Sequence, residues 1–162
     1  MFGVLFLKND LSESELSKLK DLFESRQWPE LKTTCLYNLK VFSRSSLLWN
    51  LLGVSNQKLN QLQESRFCLA RAIELDANFS DAYNNLAITL GLLGDSDGSR
   101  KALETALRLS PNSANAHNNM GMYFDNLGDF PSAKKYFEKA LKISPDHADA
   151  HHNLGSIYLR DL

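Results

Sequence analysis

Apolar and small residues return along this chain at intervals of 34 positions, with polar residues filling the spaces between them. Trp49, Tyr83, His117 and His151 share one column, Leu52, Leu86, Met120 and Leu154 the next, and Gly53, Ala87, Gly121 and Gly155 a third. Later in each unit come Ser65, Ser99 and Ala133, then Leu69, Leu103 and Phe137, then Ala72, Ala106 and Ala140, and finally Ala77, Pro111 and Pro145. One unit earlier the same columns hold Leu31, Cys35, Asn38 and Ser43, a looser fit. A fixed period of this length predicts stacked helix-turn-helix units, each burying its apolar stripe against its neighbours.

Punctuation places the helices. Pro29 and Pro131 stand three periods apart, each at the opening of a second helix, where a missing N–H costs nothing. Gly94-Asp95 and Gly128-Asp129 supply a left-handed residue followed by a capping carboxylate, the signal for one helix ending and another starting. First helices are expected near 11–25, 46–59, 80–93, 114–127 and 148–161, and second helices near 29–42, 62–75, 96–109 and 130–143. The reading is all-α: a right-handed solenoid of antiparallel helix pairs, with units at 12–45, 46–79, 80–113 and 114–147 and a half unit at 148–162.

The fullest units carry Tyr83, Leu86, Ala87, Gly94, Leu103, Ala106 and Pro111, and then Met120, Gly121, Phe124, Gly128, Ala133, Phe137, Ala140 and Pro145. On these residues the sequence resembles the tetratricopeptide repeat family from about residue 11 onward. The unit at 46–79 departs from the pattern, with Asn56 where an aromatic is usual and Ala77 where proline is.

Composition narrows the function classes. Eighteen basic and nineteen acidic side chains give a net charge of −1, which argues against a nucleic-acid or anionic-membrane partner. Cys35 and Cys68 lack C-x-x-C spacing and fall on predicted core faces, so they read as buried free thiols in a reducing, cytoplasmic setting. Phe2–Leu7 is apolar, but it lacks the preceding positive charge and the length of a signal peptide or membrane span. Residues 1–10 are expected to cap the first unit.

No nucleophile elbow, phosphate loop, dinucleotide fingerprint or zinc-protease helix occurs, so the chain does not read as an enzyme and implies no cofactor. His147 and His151 are four apart. A metal reading fails, however, because His147 precedes its helix and His117 and His151 occupy an aromatic column.

A helical wheel with about 100° per residue sets Asp81, Asn84, Asn85, Ile88 and Leu92 opposite the packed stripe of Tyr83, Leu86, Ala87 and Leu90. Asn115, Asn118, Asn119, Met122 and Asn126 repeat the pattern, followed by Asp149, His152, Asn153, Ser156 and Arg160, with Asn50 and Val54 one unit earlier. By the resemblance, this side lines a concave groove. Asn85, Asn119 and Asn153 then form a ladder with Asn50, Asn84 and Asn118 beside it. A carboxamide both donates and accepts, and first helices roughly 10 Å apart match about three residues of extended strand. The ladder is therefore expected to hold an extended polypeptide by its backbone, with Ile88 and Met122 between the rungs. As exposed rungs, Asn85 and Asn119 should be replaceable by alanine with little effect on melting.

Three functional readings follow: an interaction module; the N-terminal, substrate-presenting arm of a larger transferase; or an architectural spacer. The Asn-Leu-Ala and Asn-Leu-Gly units are similar to the repeat arm of protein O-linked N-acetylglucosamine transferases, and bacterial sulfotransferases with N-terminal repeats look similar as well. Tyr158, Leu154 and Gly155 leave an apolar stripe with no second helix to cover it, so the expectation is that the natural protein is longer or buries this end against another chain, and that the 162-residue chain alone either self-associates through this half unit or leaves its last helix frayed.

Overall fold

The computed structural model describes residues 11–160, so the segment 1–10 read above as a cap lies outside the described residues. Among the described residues there are nine α-helices and no strands: α1 (Glu13–Glu24), α2 (Trp28–Leu39), α3 (Ser46–Lys58), α4 (Leu62–Leu75), α5 (Ser80–Leu92), α6 (Ser96–Leu109), α7 (Ala114–Asn126), α8 (Phe130–Ile143) and α9 (Ala148–Arg160). The architecture is an all-α helical repeat. Its helix ends lie close to those the period predicts, the largest shift being at the end of α2. The chain divides into two compact units, Met1–Asp76 and Ala77–Leu162.

Local chemistry explains the ends. Ser12 opens α1 with a capping box: its hydroxyl accepts from the Glu15 N–H while the Glu15 carboxylate accepts from the Ser12 N–H at 2.7 Å. Asp95 and Asp129 cap α6 and α8 through bonds from the Gly98 and Ser132 N–H groups, and Pro29 and Pro131 occupy the first turns of α2 and α8. Gly94 and Gly128 adopt positive φ, as expected. Arg26 and Asn60 do so too, at 57° and 59°, in the same repeat column where no glycine signals it. The turn between paired helices demands a left-handed residue whatever the side chain, and asparagine tolerates that better than arginine.

In the first unit, Leu19, Leu31, Cys35, Leu48, Leu52 and Cys68 form one core shared by α1 to α4. In the second, Ala87, Leu103 and Met120 form one cluster, and Ala133, Phe137 and Ile157 another against which Leu154 packs. Small residues sit where helices touch. Ala72, Ala106 and Ala140 are at most 1% exposed. A Cβ on Gly53 would lie 2.6 Å from Leu69 Cγ, and one on Gly121 2.5 Å from the Phe137 ring. Gly155, in the same column, meets nothing within 4 Å.

The apolar stripe expected on α9 is partly covered. Leu154 is half-buried, Ile157 is fully buried and Tyr158 remains exposed, with Lys134 Nζ 4.5 Å from the centre of its ring. Among the described residues no helix is long and apolar enough to cross a membrane.

Candidate functional site

The site is built from the first helices of the second unit. Each packs on its own second helix, α5 on α6 and α7 on α8, and α7 also touches α5 and α9. That arrangement brings the predicted asparagines together in a way the helical wheel does not contain. Asn119 Nδ2 donates to Asn84 Oδ1 at 2.8 Å, and Asn153 Nδ2 donates to Asn118 Oδ1 at 3.0 Å. Each pair joins one repeat to the next.

The two rows of the ladder therefore differ. Asn84 and Asn118 are only 7% and 4% exposed, buried beneath the neighbouring first helix, and their side-chain oxygens are occupied by the pairing. They are ties between helices and not open rungs. Asn85, Asn119 and Asn153 are half-buried. Asn119 and Asn153 each keep a carbonyl oxygen and a second N–H after making the tie. Asn50 belongs to the first unit, where it too is buried, so it is described apart from this face.

Between α5 and α7 lies a pocket of about 350 Å³ whose lining includes Ile88, Leu92, Asn119, Met122, Asn126 and Leu127. Three expected groove residues, Ile88, Asn119 and Met122, thus meet around one cavity. Leu92, Met122 and Leu127 are 59%, 44% and 57% exposed, an apolar rim open to solvent. Leu127 was not among the expected groove residues; it follows the last turn of α7 as its C-cap, just before Gly128.

Asn115 and His152 are exposed. Asn115 is already engaged: His147 Nδ1 accepts the Ala150 N–H at 3.2 Å, so the neutral ring carries its proton on Nε2 and donates it to Asn115 Oδ1 at 2.9 Å. With both ring nitrogens used, His147 is an anchor for the start of α9, and no metal-binding cluster forms among the described residues. Arg160 pairs with Asp125 at 2.5 Å, linking α9 to α7.

The aromatic column has a polar duty that the sequence reading missed. Trp49 Nε1 donates to Ser43 O at 2.9 Å, His117 Nε2 to Pro111 O at 2.9 Å and His151 Nε2 to Pro145 O at 2.8 Å. In each case a ring N–H holds the carbonyl six residues upstream, in the connection between units. The signal was legible in principle, since Trp and His share a ring N–H that Phe lacks. His117 is buried, and this pushes its pKa below the ordinary histidine value.

Models of the tetratricopeptide repeat match residues 47–79, 78–146 and 136–161. No curated protein matches the sequence. Among solved structures, MamA aligns with a TM-score of 0.68 at 24% identity, covering 84% of this chain and 80% of its own. YrrB, described as a repeat protein with an unusual peptide-binding site, gives 0.64 at 20% identity over 95% and 79%. The first repeat domain of Spaghetti (RPAP3), bound to the HSP90 peptide SRMEEVD, gives 0.66 at 20% identity over 73% and 94%. At these identities the likeness is one of fold.

Proposed function

Because the chain carries tetratricopeptide repeats across residues 47–161, we propose that it is a protein-protein interaction module whose second unit binds an extended polypeptide along α5, α7 and α9. The observation that carries this reading is the pocket between α5 and α7, where Ile88 and Met122 meet Asn119. An apolar side chain of the ligand enters the pocket and removes the exposed surface of Leu92, Met122 and Leu127 from water. The remaining donor and acceptor of Asn119, and those of Asn153 one repeat on, bond the ligand backbone at a spacing of about three strand residues.

Peptide-bound and peptide-binding relatives of the same fold favour this use of the surface. The chemistry differs from a site built for an acidic peptide. The groove positions of α5 and α7 carry no lysine or arginine, and Arg160 is paired with Asp125. Ligand side chains are therefore selected by apolar fit, and the backbone is read without regard to sequence.

The test uses arrayed unstructured peptides probed with the natural chain and with Leu92→Lys/Met122→Lys. Both residues are exposed, and Met122 takes only a long contact of 3.8 Å from Asn118 Nδ2, so a melt of the variant beside the array reads folding separately from binding. Peptides bound by the natural chain are lost to the variant. Equal binding by a normally folded variant rejects this face as the site.

A further inference from the structure

The pocket between α5 and α7 owes its depth to a missing side chain. Gly91 lies on its wall, and the lining continues to Ser96, Ser99 and Leu103 of α6. The repeat column of Gly91 runs Gln57, Gly91, Asp125 and Leu159, so every repeat but this one carries a side chain there. In the next repeat the column closes the seam between first helices: Asp125 on α7 pairs with Arg160 on α9, 35 residues further on. The residue at the same offset from Gly91 is Asn126 on α7, and no such clasp can form, because Gly91 has no group to give it. The seam closed between α7 and α9 is thus left open between α5 and α7.

Neither the backbone nor the packing requires a glycine at this position. Glycine weakens a helix relative to alanine, and Gly91 lies within α5, on its last turn. The glycines of positive φ are Gly94 and Gly128, so the left-handed residue that ends this helix is Gly94 and not Gly91. Close contact does not demand it either. A Cβ on Gly91 would meet only Ser99 Oγ, at 3.6 Å, an ordinary contact, whereas one on Gly121 would be driven to 2.5 Å from the Phe137 ring. What the absent side chain leaves is room, and that room opens on the face where Ile88, Asn119 and Met122 meet.

Resting on the reading of this face as a polypeptide groove, we propose that Gly91 is the residue that sets its selectivity: it admits a large uncharged side chain of the ligand, leucine or phenylalanine, whose end passes α5 and reaches the start of α6. The cavity, about 350 Å³, lies at the small end of ligand sites, roughly 300–1,000 Å³, a size suited to one such side chain. Its lining holds no charged residue; Ile88, Leu92, Leu103, Met122 and Leu127 supply apolar walls, and the polar groups are amides and hydroxyls. A lysine or an aspartate entering it leaves its hydration behind and finds no opposite charge. An alanine or a valine leaves the α6 end of the cavity unfilled and forgoes the burial and dispersion contacts there. A side chain placed on residue 91 occupies that end before any ligand arrives.

The test follows the Met122 methyl resonance of the full chain during titration with a short threonine–serine peptide, blocked at both ends, whose central residue is alanine, valine, leucine, phenylalanine, aspartate or lysine. The leucine and phenylalanine peptides are expected to bind about tenfold or more tighter than the alanine peptide, the worth of burying a large apolar side chain, with aspartate and lysine weakest. Gly91→Gln, which copies the residue one period earlier, lowers the affinity of the leucine and phenylalanine peptides toward that of the alanine peptide, leaves the alanine peptide unchanged and melts no lower than the natural chain. Gly91→Ala falls between the two and carries the test should Gly91→Gln fold poorly, since its Cβ sits at an ordinary distance. Equal affinity across the apolar series, or a size preference that survives in folded Gly91→Gln, overturns this inference and leaves the groove standing. No shift at Met122 with any of the peptides overturns both.

Discussion

Replacing Asn119 with alanine separates a tie between helices from a rung that merely faces solvent. Asn84 Oδ1 is buried and receives its bond from Asn119 Nδ2 at 2.8 Å. Deleting the donor removes a net contribution of about 0.5–1.5 kcal/mol and strands a desolvated acceptor, for a total cost of about 1–3 kcal/mol. For a unit of this size that lowers the melting midpoint by roughly 4–8 °C per kcal/mol. Asn84→Ala removes the same bond but leaves behind Asn119, which is half-buried and can turn its amide to water. The double variant therefore loses about 0.5–1.5 kcal/mol less than the sum of the single ones. Urea titrations of the four proteins, followed by circular dichroism, give the coupling. Single effects that add, or an Asn119→Ala midpoint equal to that of the natural chain, refute the tie. The outcome also replaces the expectation that Asn119 is dispensable for stability, so a groove test built on this residue confounds binding with folding.

Two glycines of one column should respond with opposite sign. Gly121→Ala drives a Cβ to 2.5 Å from the Phe137 ring and costs about 1–3 kcal/mol, whereas Gly155→Ala meets open space and gains up to about 1 kcal/mol of helix propensity. Urea midpoints that move the same way for both contradict the packing described here. His117 supplies a pH dependence: burial lowers its pKa in the folded chain, so the unfolded chain takes up a proton first as pH falls. Its contribution is complete above the ordinary histidine value of about 6.5 and is lost as pH drops through that value toward the depressed one. His117→Tyr, which copies the residue at position 83, should flatten the fall in melting midpoint between neutral pH and about pH 5; an unchanged slope assigns it to other groups.

Most of the helical framework was legible because its cause is periodic. One good repeat fixes the others, and Gly94, Gly128, Pro29 and Pro131 mark boundaries by backbone properties that hold in any context. What escaped depends on neighbours. A wheel drawn for α5 alone cannot know that α7 covers Asn84, so it counts a buried tie as an exposed rung. The left-handed Arg26 carries no sign of its conformation and is recognised only through its repeat column. Asn56 was noted as a departure from the family pattern, yet its bond to Cys68 across the pair is visible only when both helices are in place. That Ile88 and Met122 share a face away from the packed stripe was legible, and they do line one pocket, because the direction of each depends mainly on its own helix.

The asparagine ties also have a mechanical meaning. Sliding α7 along α5 by one residue is a displacement of about 1.5 Å, enough to pull the 2.8 Å Asn119–Asn84 contact beyond hydrogen-bond reach. Rotating one helix about that same contact leaves it nearly intact, since a hydrogen bond resists stretching more than swivelling. The ties Asn84–Asn119 and Asn118–Asn153 therefore act as stops against sliding of one repeat along the next. The register between repeats, and with it the spacing of the side chains that α5, α7 and α9 present on this face, is thereby held fixed.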